Sequence, residues 1–498
     1  MESQHIPFHP RKATQYPGDL TAENIKQIFA NSADYWQQEI FIGGDPQKPA
    51  TVISLVGMVN GDKINDHILK PLAQAPHLAD MSQGEAFHRL HMGGIYNVAV
   101  LLRSTLDEVA DDLLMGNVIL AFPHQREMIS CIAPSEDRRA ISSPENEPLI
   151  KGAKDAFVES LRSNTAAVRR RIRVPELKIK EQIVGRRSRS LVDMIYIEGL
   201  TNPQFVAETE KRLEKIDIDA VLTTANLEEY LADTVKTPFP LIAYTERPDR
   251  FCGGLLEGRV GILVDGLPLG FLLPGTLNYF FKTSEDRAKN WMEASFLRVL
   301  RYLCMVITLF LPAMYVAAVN FHPEMLPAPL AWSIIQAKVD VPFSTIFEIL
   351  ILLLAFEILQ EAGLRLPAAI GGAVSILGGL VVGSAAVEAK IVSPAVLIVV
   401  AIAGIAGYTM PSQDIAGALR LWRFVLVIAA ALAGLFGVMV TAMILIHHLA
   451  SLETLGVPYL SPFAASQKEQ EGSVLRLPLP WVKLRDRAME TRDRRNQR

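Results

Sequence analysis

Three carboxylates, Glu348, Glu357 and Glu361, interrupt an otherwise apolar run from Pro342 to Glu361. An ionisable group at membrane depth costs at least ~2.5 kcal/mol, so it faces a protein interior or water. At 100° per residue, Glu357 and Glu361 share one helical face while Glu348 points the opposite way. Glu361 stands beside Gly363, where the run ends. Glu357 is therefore the best single candidate for a water-lined ion path, with Glu361 and Glu348 as further pore or gating candidates. The alternative is a carboxylate paired to a basic neighbour for packing alone.

A second pattern follows. Gly371, Ser375, Gly379 and Gly383 recur every four residues, and Ala429, Ala433, Gly437 and Thr441 repeat the spacing. Small residues so placed let helix backbones approach closely in lipid. They pack helices or line a narrow pore, and one helix can do both.

Other chemistry is missing. The chain has no G-x-x-x-x-G-K-[ST] and no H-E-x-x-H, and the glycines of Cys252–Gly261 lack dinucleotide spacing. Cys131, Cys252 and Cys304 lie far apart without a C-x-x-C pair, which argues against a disulfide framework or zinc site. His447 and His448 have no metal partner in register and read as interface packing. No catalytic residue, metal or cofactor is expected, and the chain reads as a non-enzyme. The basic stretch from Arg169 to Arg189 carries Glu176 and Glu181 but no aromatic residue, in a chain of net charge −4. It reads as a solvated or inter-subunit face, not a nucleic-acid surface.

These candidates need elements to hold them. Half of the 498 residues are hydrophobic and 20% are charged, but charges become sparse between Phe296 and about Ala450. A spanning helix needs about 20 mostly apolar residues. Five stretches come close: Tyr302–Val319, Pro342–Glu361, Ala368–Val387, Ile391–Met410 and Trp422–Ile446. Basic residues before the first (Lys282, Arg287, Lys289, Arg298, Arg301) outnumber Lys338 in the next connection. Arg365, Lys390, and the Arg420 and Arg423 pair flank the later ones. This distribution predicts a cytoplasmic N-terminal half, and the opening residues show no signal-peptide pattern. Five crossings would put Arg476, Lys483, Arg485, Arg487 and the terminal RDRRNQR outside. An even number is therefore expected: either one stretch does not cross fully, or Gly266–Phe281 enters the membrane.

Before the membrane, apolar runs at Thr51–Val59, Asn97–Leu102, Asn117–Phe122, Glu127–Ala133 and Leu191–Gly199 predict strands. Ser104–Met115 and Phe205–Ile216 predict helices. Gly57 with Asn60 and Gly199 with Asn202 repeat one local pattern, which suggests a duplicated α/β unit. The expected fold is an α/β soluble N-terminal half with two α/β subdomains, followed by an α-helical multi-span membrane bundle. The expected divisions are a disordered tail over 1–24, subdomains over 25–145 and 146–290, the bundle over 291–450 and a cytoplasmic tail over 451–498.

Several segments resemble the A subunit of the GerA-type spore germination receptors. They are Ser143–Ile172, Thr245–Pro268 (TERPDRFCGGLLEGRVGILVDGLP), Phe321–Pro327, Glu357–Pro367, Gly383–Ala395 and Gly456–Phe463, in family order. The opening Ile25–Gly44 is closer to receptor A subunits than to the stage V sporulation paralogue. The resemblance implies a multi-pass protein of the spore inner membrane. It implies work with a lipoprotein C subunit and a transporter-like B subunit that binds the nutrient. It also implies homo-oligomers of A subunits around an ion path. QAKVDVPF, with Lys338 and Asp340, departs from the family at a position usually held by Arg. Cys252-Gly253-Gly254 stands where larger or Ala-like residues are common. The alternative function is a membrane-anchored scaffold that assembles the receptor without conducting ions. A secondary transporter would show related halves in its spans, and none is visible.

Overall fold

In the computed structural model, which describes residues 16, 18–74, 78, 80–94, 99–135, 144, 147, 149, 151–365, 383–463 and 474–496, two five-stranded sheets share one strand order. The first contains β1 (Tyr35–Phe41), β2 (Pro49–Leu55), β3 (Val100–Arg103), β4 (Val118–Ala121) and β5 (Met128–Cys131), in the order β1-β2-β4-β5-β3. The second contains β6 (Leu177–Val184), β7 (Ser190–Ile197), β8 (Ala243–Thr245), β9 (Val260–Val264) and β10 (Gly270–Leu273), in the order β6-β7-β9-β10-β8. The repeat suggested by paired glycines and asparagines thus extends to whole-sheet topology. Gly57 (φ +82°) and Gly199 (φ +77°) turn the chain after the second strand of each sheet, a conformation glycine adopts without strain. Asn60 and Asn202 then cap the next helix, accepting from the backbone N–H of Lys63 and Gln204.

The first sheet is buried on both faces, which explains its continuous apolar runs. Along β2, Ala50 and Val52 enter one core with Ile64, Ile68 and Leu72. Ile53 and Leu55 enter the other core with Leu106, Val109 and Leu113 of helix α1 (Leu106–Leu114). Helix α2 (Leu161–Arg171) carries Arg169, whose guanidinium meets Asp34 through two hydrogen bonds of 3.0 and 2.9 Å. Both side chains are buried, and Arg169 also donates to the carbonyls of Val174 and Leu177. Other members of the basic stretch pair nearer the surface: Arg171 with Asp155, Lys180 with Glu210, and Arg186 with Asp217.

Helix α3 (Pro203–Glu214) follows β7, and helix α4 (Pro248–Leu256) packs on β9 and β10. A Cβ on Gly254 would lie 2.6 Å from Leu272 Cδ1, and one on Gly261 would collide with the Phe251 ring. The glycines of this block therefore serve close packing of helix on sheet. The expectation that Gly266–Phe281 enters the membrane is corrected here. Gly270–Leu273 pairs in antiparallel register with Val260–Leu263, and Leu277–Phe281 forms a short buried helix. Four apolar residues in a buried strand read like a fragment of a span.

The chain divides into two compact units. The first takes Met1–Leu231, Tyr244–Leu273 and Arg485–Asn496, so the C-terminal segment returns to the sheets. There Met489 is fully buried, Arg485 Nε donates to the Leu256 carbonyl, and the Arg492 N–H donates to the Leu200 carbonyl.

The second unit contains the long helices α5 (Trp291–Asn320), α6 (Thr345–Arg365), α7 (Pro394–Gly407) and α8 (Gln413–Ser451). Among the described residues, α5 and α8 are long and apolar enough to cross a membrane. The predicted fifth stretch, however, is not one continuous helix. Ala433 (φ −141°, ψ 19°) and Gly434 (φ 58°, ψ −141°) break α8. Trp422 and His448 would stand roughly 39 Å apart in a straight helix, yet their rings are 6.1 Å apart. Helix α8 is a hairpin. Its legs touch near the tip, where a Cβ on Gly437 would collide with the Ala429 carbonyl oxygen.

Candidate functional site

The acidic residues of α6 find their partners on helices far along the chain. Glu348 is fully buried and accepts a 2.7 Å hydrogen bond from the Ser393 N–H at the start of α7, while Lys338 Nζ lies 3.7 Å away. Half a helical circumference round, Glu357 faces α8. Arg420 reaches one carboxylate oxygen at 3.1 Å and Arg423 the other at 2.8 Å. The i, i+3 spacing puts both arginines on one face, so a single carboxylate joins two guanidiniums. Glu361 lies one turn further on and is exposed.

Arg420 and Arg423 were expected as flanking charges that set orientation. Instead they stand inside the first leg of the hairpin, bound to Glu357. Nothing in the sequence names Glu357 as their partner; the RxxR spacing at the head of an apolar run was the available signal. Lys338 and Asp340, the departures in QAKVDVPF, are each engaged, Lys338 with Glu348 and Asp340 with Lys390.

Helices α6 and α7 run in the same direction. Glu348 sits by Ser393 at one end, and the Phe356 ring lies 5.9 Å from the Tyr408 ring at the other. Arg423 is 1% exposed and Arg420 is half-buried. Between α5, α6, α7 and α8 lies a cavity bordered by Thr308, Gln360, Tyr408, Gln413, Arg420 and Arg423. Of the small-residue stripe, Gly371, Ser375 and Gly379 lie outside the described residues. Gly383 is half-buried, and a Cβ there would sit 3.9 Å from Leu397.

At the foot of α5, before the predicted span, one carboxylate again holds two arginines. Asp286 is fully buried, 3.0 Å from Arg298 Nε and 2.9 Å from Arg301. Burial raises its pKa, but the guanidiniums of Arg301 and Arg298 outweigh that and hold it below the usual carboxylate range. The hairpin tip rests at the other end of α5, where a Cβ on Gly434 would lie 2.9 Å from Phe321 Cβ. His448 closes the second leg, 2.9 Å from Thr237 Oγ1. All three cysteines are buried, and burial pushes the Cys131 and Cys252 thiols up to about 12, away from reactivity.

Residues 23–488 match the family model described as Bacillus/Clostridium GerA spore germination protein. The chain belongs to the GerA family. It is 36% identical over 462 residues to Spore germination protein KA of Bacillus subtilis (strain 168), covering 92% of this chain and 84% of that one. It is 32% identical over 486 residues to Spore germination protein GerLA of Bacillus cereus, covering 97% and 98%. An uncharacterized membrane protein of B. subtilis, YfkQ, is 37% identical over 433 residues, covering 86% and 83%. Among solved structures, the N-terminal domain of the A subunit of the Bacillus megaterium spore germinant receptor GerK3 is 30% identical. It covers 53% of this chain and 97% of that domain, with a TM-score of 0.42. Family membership supports a germinant-receptor role, and the KA and GerLA relatives are named spore germination proteins.

Proposed function

We propose that this chain is the A subunit of a spore nutrient germinant receptor. In this reading it sits in the spore inner membrane with a transporter-like B subunit, a lipoprotein C subunit and further copies of itself. Nutrient binding by a partner shifts the A-subunit oligomer towards ion release. The observation that carries the reading is family identity across residues 23–488, combined with the Glu357, Arg420 and Arg423 cluster inside an apolar helical unit. Charged groups retained at membrane depth mark ion or substrate pathways more than passive anchors.

The membrane unit crosses an even number of times, with the α/β unit and the C-terminal segment both in the cytoplasm. Two features support this. The hairpin turns one predicted crossing into two, and residues 485–496 rejoin the unit from which the membrane helices depart. On this reading the hairpin supplies the extra crossing that an even count needs. Glu348 and Glu361, with the small residues Gly371, Ser375, Gly379 and Gly383, are carried forward as pore or gating candidates.

The test is ion flux. Full-length chain with its B and C partners in liposomes should release potassium on nutrient addition. Glu357→Gln should change the rate without abolishing assembly. A complex that assembles fully and passes no ions under any nutrient would make the chain a scaffold.

A further inference from the structure

Arg423 is almost completely buried, yet the bond to Glu357 uses one of its two terminal nitrogens, Nη2. Its Nε has no hydrogen-bond partner among the described residues, and neither does the buried Thr308 hydroxyl on α5. Both residues border the cavity described above. Leaving such groups unpaired in a low-dielectric interior is unfavourable, and more so when one is charged. The lining is rich in donors: two guanidiniums, a hydroxyl, the Tyr408 phenol and the Gln360 and Gln413 amides. Among the described residues no carboxylate borders it. Glu357 answers only one of the two guanidinium charges and does so from outside the lining.

A donor-lined void with a surplus guanidinium charge and an orphaned Nε calls for an anion. We infer that the cavity between α5, α6, α7 and α8 binds one small monovalent anion, of the size of chloride or formate, against Arg423, Arg420 and Thr308. The bound anion completes the second guanidinium's charge balance and gives the orphaned Nε and hydroxyl an acceptor. It thereby ties α8 to α5 by a contact that the polypeptide alone does not supply. Water could accept the same hydrogen bonds but would leave the charge unanswered.

Glycine keeps the space open. A Cβ on Gly407 would meet Thr308 at 3.5 Å, an ordinary van der Waals contact, so alanine fits there while taking volume from the cavity. Gly407→Ala is therefore a fold-preserving way to exclude the anion.

Thermal melting of the purified full-length chain in detergent tests the site, with sodium chloride, sodium formate or sodium gluconate at one ionic strength. Gluconate is too large to enter. The expected result is a saturable rise in Tm with chloride or formate over gluconate. The rise should be lost in Gly407→Ala and in Arg423→Gln. Glu357→Gln, which removes the competing carboxylate, should lower the half-saturating anion concentration roughly tenfold. Saturation by formate but not chloride would assign the site to carboxylates, and the reverse to halides; either upholds it. Equal Tm in all three salts would mean the cavity holds water only. An undiminished response in Gly407→Ala would place the binding elsewhere. Either of those outcomes overturns the proposal. If Arg423→Gln fails to fold, Gly407→Ala and Glu357→Gln still decide it.

Discussion

The α/β unit and the helical unit both bury arginine against carboxylate, and they do so differently. In the α/β unit, Asp34 and Arg169 form a one-to-one bidentate pair, and the remaining donors of Arg169 reach backbone carbonyls. In the helical unit, Glu357 is shared between Arg420 and Arg423, and Arg423 Nε has no partner among the described residues. A closed pair acts as internal glue, because nothing more can be added to it. An open cluster keeps unsatisfied capacity, which a ligand or a rearrangement can use. The foot of α5 lies between these cases, since Asp286 accepts from two arginines through both of its oxygens.

The comparison breaks most easily at the closed pair. Arg169→Ala leaves Asp34 charged, buried and alone, and is expected to cost about 3–5 kcal/mol. Melting of the full chain in detergent measures it. Replacing both partners with apolar residues, Asp34→Leu with Arg169→Met, should recover most of the loss, because a well-packed apolar pair offsets the removed charges. If the double variant were as unstable as Arg169→Ala, the pair would be more than glue.

A buried carboxylate without a matched partner sharpens the contrast inside the same unit. Asp193 on β7 is fully buried, its Oδ1 has no partner among the described residues, and Arg162 is 3.8 Å away. Burial pushes its pKa up to about 6. The Thr165 hydroxyl lies 2.9 Å from the Leu161 carbonyl and 2.8 Å from Asp193. The hydroxyl is shared between the two acceptors; its donation to Asp193 and the nearby Arg162 charge favour the ionised carboxylate, but burial outweighs both. The folded pKa is raised, so the folded state binds more protons between the unfolded value near 4 and about 6. Stability therefore falls as pH rises through that window and stays low above it. Asp193→Asn should remove this dependence. Its stability relative to wild type should be greater at pH 7.5 than at pH 4.5, by at most roughly 3 kcal/mol. Melts of the full chain at the two pH values check the sign, and an unchanged difference would refute the raised pKa of Asp193.

Much of the α/β architecture was legible because buried strands carry continuous Val, Ile and Leu. β4 and β5 stand within the predicted runs, as do most of β2 and β7. The edge strand β1 (YWQQEIF) was not, since half its side chains face water. β6 (LKIKEQIV) was hidden inside a run read only for its charge, although its alternating burial is that of a half-exposed strand. The duplication was visible at four residues, because a positive-φ glycine and a helix-capping asparagine are local requirements that composition preserves. At the candidate site the legible part was Glu357 itself. Its partners were not, since the pairing of α6 with α8 is a tertiary fact with no local signature. The hairpin was missed for a related reason: Ala433-Gly434 inside an apolar run looks like helix packing, and only the fold-back distinguishes it.

That hairpin gives the smallest expected energy and the most direct test of the helical unit. Gly437 lets the second leg lie against the Ala429 carbonyl of the first, and Gly437→Ala should cost about 1–3 kcal/mol by forcing the legs apart near the tip. The same substitution in an unbroken helix would be neutral or slightly stabilising, because alanine is the better helix former. The sign of one methyl group thus separates two legs from one span. Paired cysteines remove any ambiguity about stability: Trp422→Cys with His448→Cys places two thiols on facing legs. A short bifunctional thiol reagent should join them within one chain, detected by mass after proteolysis between them. A straight helix would hold them roughly 39 Å apart, beyond the reagent's reach. Absence of the intramolecular crosslink would restore the single crossing, put the C-terminal segment on the other side of the membrane, and remove from Arg420 and Arg423 the framework that presents them to Glu357.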